Sequence, residues 1–282
     1  DLLNEDKVNI LSKNIFDFKI NNENKIENLN LKSSLEFDEL KLRNQLKLPF
    51  NFKKGKMEVL YTNENLKIDI NANHYLINEK NKNARPGTSK ISISKKRNSN
   101  IFKVNANIIG EQNTINSKEI KKLFEYRNNF ISDQDVTFDS KNQISFEIQK
   151  NNKIENLNIN SNLKINNLEI LLKDQRIKKI LPEYKSKIFL KDSFIDLNFN
   201  KNLNKFKISG LYSFDQDLFD EYLLNISNNI STVNGQIDLN NTIINFDEIN
   251  YKKEKNKTSN INFTVSLEKD FALNEFSYKE GE

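Results

Sequence analysis

Apolar and polar residues alternate with a period of two along much of the chain, a pattern that indicates β-strands with one buried face. Asn, Lys and Glu residues occupy the other face, which predicts a mainly β protein whose sheet has one wet side. The apolar positions of the predicted strands are Leu29, Leu31, Leu35 and Phe37; Ile68 and Ile70; Ile91 and Ile93; Leu157, Ile159, Leu163 and Ile165; Ile195, Leu197 and Phe199; Phe206, Ile208, Tyr212 and Phe214; Ile237 and Leu239, paired around Asn240-Asn241 with Ile244 and Phe246; and Ile261, Phe263, Val265 and Leu267.

An internal repeat accompanies the alternation. The heptapeptide NKIENLN occurs at residues 24–30 and again at residues 152–158. At this fixed offset, Phe18–Leu42 and Phe146–Ile170 share 12 identities in 25 positions. The repeat is much longer than one coil of a solenoid, so each copy must contain several strands.

The repeat also predicts how the chain is organised. In both copies the alternation slips by one residue, at Asp38-Glu39 and at Asn166-Asn167, which predicts a bulge or a turn at each place. No Pro-, Gly- or Ser-rich linker separates the copies. We therefore expect one continuous β-rich segment over residues 1–282, with related units at about residues 15–131 and 143–282.

Three segments break the alternation and predict short helices, which we expect to seal an edge or an end of the sheet. They are residues 117–131, residues 215–226 with Asp215 or Asp217 as the N-cap, and Gln175–Ile180. Asn78–Lys90 has the strongest loop signal, with Pro-Gly as its turn.

Composition supports a sheet with one wet face. The apolar fraction is 36%, the charged fraction is 29%, and 50 of the 282 residues are Asn. The net charge is +5 with both signs interleaved, so we expect no nucleic-acid partner. Lys252-Lys253 and Lys255 form a basic cluster that we interpret as a solvated hairpin or loop.

The chain contains no recognisable catalytic or metal-binding motif. It has no cysteine, its six glycines are too far apart for a phosphate-binding loop, and His74 is its only histidine. We interpret His74 as a half-exposed strand residue, and the acidic group from Asp215 to Glu221 as helix-capping residues. These features predict a protein that is not an enzyme and uses neither a cofactor nor a metal.

The apolar strand faces need a cover. From periodicity alone the favoured cover is a second sheet, giving a sandwich or a barrel. The alternative is a long curved antiparallel sheet whose apolar face forms a β-groove for apolar ligands.

A resemblance favours the groove. The second copy runs from residue 153 as KIENLNINSNLKINNLEILL and continues with KFKISGLYSF, STVNGQIDLNNTIINFDEINYKK and INFTVSLEKDFALNEFSYKEGE. In the order and form of these strand-turn-strand units, residues 146–282 resemble the AsmA-like family of bacterial envelope proteins, in particular the central β-repeat region of its TamB/YhdP-like members.

The resemblance implies a long, curved, antiparallel β-groove with two or three short helices. It further implies a segment of a longer periplasmic protein, anchored to the inner membrane by a region outside this chain, that carries phospholipid between membranes for outer-membrane biogenesis. The partners would be phospholipid acyl chains. The alternative is an extracellular or surface β-sandwich that binds protein or glycan. The candidates for lining the groove are Leu29, Leu31, Leu35, Phe37, Leu157, Ile159, Leu163, Ile165, Ile195, Leu197, Phe199, Ile261, Phe263, Val265 and Leu267.

Overall fold

A computed structural model describes most of the 282 residues. The described residues are 9–40, 50–76, 86–96, 99–118, 120, 131–173, 175–201, 203–227, 231–267 and 272–281.

The described chain contains sixteen strands, the short α-helix α1 (Gln175–Ile180) and a 3-10 helix at Asp247–Ile249. The strands are β1 (Ile10–Ile20), β2 (Ile26–Leu40), β3 (Phe50–Tyr61), β4 (Asn65–Leu76), β5 (Gly87–Lys96), β6 (Phe102–Asn116), β7 (Asp135–Ile148), β8 (Ile154–Leu171), β9 (Lys187–Asn200), β10 (Leu203–Ser213), β11 (Asp220–Ser227), β12 (Thr232–Asp238), β13 (Ile244–Phe246), β14 (Tyr251–Lys253), β15 (Ser259–Ser266) and β16 (Ala272–Glu280).

Fourteen of these strands form one antiparallel sheet that is not closed into a barrel. Each strand lies beside the one that precedes it in the chain, except that β15 follows β12 in the sheet. β13 and β14 pair with each other in a separate two-stranded sheet, the only other sheet in the described part of the chain. The mainly β, antiparallel prediction is confirmed.

The two NKIENLN segments have the same backbone geometry. Each begins at a hairpin turn, between β1 and β2 in one case and between β7 and β8 in the other. Asn24 (φ 59°) and Asn152 (φ 61°) take left-handed conformations in the turns, and Asn28 and Asn156 (both φ 52°) take them four residues later. Asn tolerates this conformation better than most residues do, which gives the repeated Asn positions a physical reason.

The alternation slip in the first copy matches a bulge in the neighbouring strand. β2 continues as strand through Asp38-Glu39, and β8 continues through Asn166-Asn167, so neither position is a turn. The bulge lies in β3, where Lys54 has φ 48° and the register with β4 shifts between Lys53 and Lys56. Phe37 and Glu39 of β2 pair with residues on either side of Lys54, so the irregularity lies opposite the predicted slip.

The chain divides into two compact units. Unit 1 contains residues 1–113 and 140–160, and unit 2 contains residues 114–139 and 161–282. The boundary therefore falls within β6, β7 and β8.

Of the three predicted helices, only Gln175–Ile180 is confirmed over its full length. In the segment 117–131, Ser117 and Lys118 are helical, and most of the remainder lies outside the described residues. The helix predicted for residues 215–226 is wrong, because Asp220–Ser227 forms β11. The predicted loop Asn78–Lys90 lies outside the described residues up to position 85, and its last four residues belong to β5.

The hairpin predicted around Asn240-Asn241 is also wrong. Ile237 of β12 pairs with Ile261 of β15, and β13 pairs with β14. Residues 239–258 therefore form an insertion between two neighbouring strands of the large sheet. We call these residues the cap insertion.

Candidate functional site

The strand register gives unit 1 one apolar face. Directly opposed residues of an antiparallel pair lie on the same face of a sheet. The pairings from β2 to β6 therefore connect apolar residues into rows that cross the strands, while Lys, Asp, Asn and Ser occupy the other face. The two central rows are Leu35–Met57–Ile70–Ile91–Ala106 and Ser33–Val59–Ile68–Ile93–Val104.

Unit 2 also has one apolar and one polar face, over six strands. Its polar face contains a row across β10 to β16 that consists of Lys207, Asn225, Asn234, Thr264 and Glu275. Two apolar rows run from β9 to β16. They are Ile195–Ile208–Leu224–Gly235–Phe263–Phe276 and Leu197–Phe206–Ile226–Val233–Val265–Leu273. We call these two rows together the apolar strip of unit 2.

The predicted lining residues fall into several environments. Phe37 and Val265 are buried, whereas Leu267 lies beyond the end of β15 and is 41% exposed. Phe199 pairs with the polar Asn204. The other candidates are half-buried strand residues: Leu29, Leu31, Leu35, Leu157 and Ile159 in unit 1, and Leu163, Ile165, Ile195, Leu197, Ile261 and Phe263 in unit 2.

Two of the candidate aromatic residues lie across glycines of a neighbouring strand. A Cβ atom on Gly55 would lie 1.9 Å from the Phe37 ring, and one on Gly235 would lie 2.1 Å from the Phe263 ring. Both pairs are direct cross-strand partners. A large ring over a glycine covers the exposed backbone of the neighbouring strand.

The cap insertion covers one end of the apolar face of unit 2. Leu239 and Ile244 from the insertion are buried with Tyr212 of β10 in one hydrophobic core. Half-buried residues that pack against this core include Tyr222 and Ile261. Ile261, a predicted lining residue, therefore belongs to the covered part of the face, whereas Phe263 and Val265 are not part of that core.

Two buried charged residues stabilise the cap insertion, one from the sheet and one from the insertion itself. Asp220 of β11 accepts hydrogen bonds from the Asn241 backbone N–H at 3.0 Å and from the Thr242 hydroxyl at 3.1 Å. Lys253 of β14 is fully buried and donates to the carbonyl oxygens of Asn240 (3.3 Å), Thr242 (2.9 Å) and Glu254 (3.1 Å). Burial raises the pKa of Asp220 and lowers the pKa of Lys253. The interpretation of Lys253 as a solvated residue is wrong.

A third contact connects the insertion with the turn before β11. Lys255 lies 2.6 Å from the Glu183 carboxylate and 3.0 Å from that of Asp215. Asp215 also accepts from the backbone N–H of Asp217. Burial raises the pKa of Asp215, but the hydrogen bonds outweigh it and the net shift is downward. Asp215 therefore stabilises a turn and not the predicted helix.

His74 is buried, which contradicts its interpretation as half-exposed. Its Nδ1 shares a 2.9 Å hydrogen bond with the Ser89 hydroxyl, and its ring lies across Gly87. His74 is 5% exposed and Ser89 is 1% exposed, so neither side chain presents a reactive surface to a substrate. Burial lowers the pKa of His74 from its ordinary value of 6.5.

The lowered pKa of His74 predicts an acid-sensitive fold. The unfolded chain takes up the proton at higher pH than the folded chain does, so His74 stabilises the fold above pH 6.5. This contribution is lost as pH falls through the lower pKa of the folded state. We expect His74→Gln to show a smaller fall in its urea midpoint between about pH 8 and about pH 5 than the unchanged protein does. Equal falls in the two proteins would contradict the prediction.

Two groups of residues that shape this face were not predicted from the sequence. The first is the core of Tyr212, Leu239 and Ile244, which we call the cap core; the pattern around Leu239 and Ile244 indicated a short hairpin and gave no signal of a covering insertion. Tyr222, Leu224 and Ile226 were assigned to a helix, although they alternate with a period of two. That period was the signal that could have found them.

Among the described residues, no group of three or more His, Asp or Glu side chains is arranged to hold a metal ion. The described helices include none that is long and apolar enough to cross a membrane. Comparison of the chain with protein-family models, with curated proteins and with solved structures finds no match.

Proposed function

We propose that this chain is a non-enzymatic β-groove segment that carries phospholipid, with the acyl chains lying on its apolar sheet face. The observation that carries the proposal is the apolar strip of unit 2, a pair of cross-strand rows on a sheet that no second large sheet in the described part of the chain accompanies. The localisation proposed with it is the periplasm, with an inner-membrane anchor outside this chain and a role in outer-membrane biogenesis.

The dimensions of the strip suit an acyl chain. Six strands at about 4.8 Å spacing give a strip about 24 Å long. One acyl chain spans about half of a hydrocarbon core that is about 30 Å thick, which is about 15 Å. A chain that lies along either row would therefore be in contact with apolar side chains over its whole length.

The driving force would be apolar burial. Each methylene that leaves water for an apolar surface contributes about 0.8 kcal/mol. Such binding is non-directional, so a lipid could move along the rows without a chemical step.

The sandwich alternative requires a facing sheet over the apolar rows. Within the described residues of unit 2, the cap insertion covers one end of these rows, and no facing sheet covers the rest. This observation favours the groove over the sandwich.

The proposal predicts that charge on the strip removes bound lipid. Native mass spectrometry and organic extraction of the purified protein should detect co-purifying phospholipid. Phe263→Asp should lower the lipid-to-protein ratio severalfold, because the carboxylate must lose water when an acyl chain covers it. The matched control is Asn262→Asp, which places the same charge on the polar face of the same strand and should leave the ratio unchanged.

A second variant extends the test to unit 1. Ile70→Asp places a charge on a central apolar row of that unit and should also lower the lipid-to-protein ratio. Circular dichroism establishes that each variant retains its β-structure. Lipid-free protein from a lipid-containing host, or equal lipid content in Phe263→Asp and Asn262→Asp, would overturn the proposal.

A further inference from the structure

The polar face of unit 1 contains a hollow of about 620 Å³. This volume is within the range of about 300–1,000 Å³ that ligand pockets occupy. The hollow crosses β3 to β8, and we call it the amide hollow. Its polar lining residues are Glu58, Asp69, Asn71, Lys90, Ser92, Asn105, Asn107, Gln143, Ser145, Asn158 and Asn160.

Most of the amide groups in this hollow are free to bind a ligand. Four of these residues are exposed, and their side chains have no hydrogen-bond partner within the described part of the chain. They are Asn71, Asn105, Gln143 and Asn160. Asn107 differs from them because its Oδ1 atom is buried and still lacks a partner among the described atoms. A buried acceptor without a partner is costly, so a bound donor at this point would be stabilising.

The charges in the hollow nearly cancel. Glu58 lies 2.8 Å from Lys56, and Asp69 lies 2.7 Å from Lys67 while it accepts a 2.7 Å hydrogen bond from Ser92. Both acids are therefore neutralised by partners at the edge of the hollow. Lys90 is the one cation of the lining, and its ammonium group has no ion-pair partner among the described residues. The ligand that suits these charges is neutral or carries a single acidic group.

Unit 2 has a similar hollow on its own polar face, with a volume of about 470 Å³. Its polar lining residues are Asn225, Asn234, Gln236, Asn262, Thr264, Glu275 and Ser277. Amides and hydroxyls from several strands thus contribute to the lining of both hollows, together with Phe263 and Phe276 in unit 2. The recurrence indicates that the arrangement belongs to the strand pattern and not to one local irregularity.

We propose that the amide hollow of unit 1 binds an oligosaccharide. An amide group both donates and accepts hydrogen bonds, as do the neighbouring hydroxyls of a sugar ring. Side chains spaced about 4.8 Å apart along a row present such groups repeatedly to a linear chain of sugars. The described lining contains no aromatic ring, so hydrogen bonds without ring stacking would give weak binding, with a millimolar Kd. This site is independent of the proposed lipid-carrying face.

The test is a titration of protein labelled with 15N at Asn and Gln, with the tetramers of N-acetylglucosamine and of glucose as probes. The side-chain amide signals of Asn71, Asn105 and Asn160 should shift and saturate with at least one of the probes. Unchanged signals with both, or equal shifts in amides all over the protein, would overturn the proposal.

A pair of variants tests whether the ligand binds in the amide hollow. Asn107→Leu should weaken binding about threefold to tenfold, the effect of one or two lost hydrogen bonds. It should not lower the urea midpoint, because it removes a buried acceptor that has no partner in the free protein. Asn51→Leu changes an amide of β3 outside the lining and should leave binding unchanged. Equal affinity in Asn107→Leu and in the unchanged protein would overturn the site.

Discussion

Lys253→Ala is expected to destabilise unit 2 by about 3 kcal/mol or more, because it leaves several buried polar groups without partners. The ammonium group of Lys253 is the donor for three backbone carbonyl oxygens, and the side chain is fully buried. Its positive charge also interacts with the buried Asp220 and stabilises the ionised form of that carboxylate. Loss of the ammonium group removes both contributions at once.

The neighbouring lysine provides the control. The Lys252 side chain is 61% exposed and pairs at 2.7 Å with Glu254, an ion pair in water that contributes little. Lys252→Ala should leave the urea midpoint within experimental error. Tyrosine fluorescence is a suitable readout, because the chain has no Trp and Tyr212 and Tyr222 lie at the cap core. Equal midpoints for the two variants would show that Lys253 does not stabilise the insertion.

Ile244→Ala is expected to destabilise unit 2 by about 2–4 kcal/mol, the cost of removing a buried side chain and leaving a cavity. Ile244 is 2% exposed and contributes to the core with Tyr212 and Leu239. The other apolar residues around this core are only half-buried, so the insertion depends on few side chains for its attachment.

Ile249→Ala is the matched control, since Ile249 belongs to the same insertion and is 72% exposed. Its urea midpoint should stay close to that of the unchanged protein. Should Ile244→Ala and Ile249→Ala unfold at the same urea concentration, the insertion does not depend on a buried core for its position.

Both variants also bear on the proposed lipid-carrying face. The cap insertion covers Tyr222 and Ile261 and leaves Phe263 outside its core. Its attachment therefore decides how much of the apolar face of unit 2 is available to a ligand. If the insertion detached while the sheet stayed folded, a larger part of the apolar face of unit 2 would be exposed.

The local features of the fold were predictable from the sequence. Alternation located β2, β8, β9 and β15, because side chains of a strand point to opposite faces in turn and a half-buried sheet imposes that period. The repeated NKIENLN segment predicted equivalent local structure in two places, and the Asn residues of both copies take left-handed conformations. The helix Gln175–Ile180 was predicted from local signals as well.

The sequence by itself determined that the chain is mainly β, with strands that have one apolar face, and it located several of these strands. The tertiary structure alone decided which strands pair and what covers them. Residues 215–226 satisfy both a helical and a strand pattern, and only the neighbouring edges of β10 and β12 select the strand. The burial of His74 and Lys253 likewise depends on residues distant in the chain. Periodicity reports on one segment at a time, whereas pairing and burial are properties of segments that meet only in the fold.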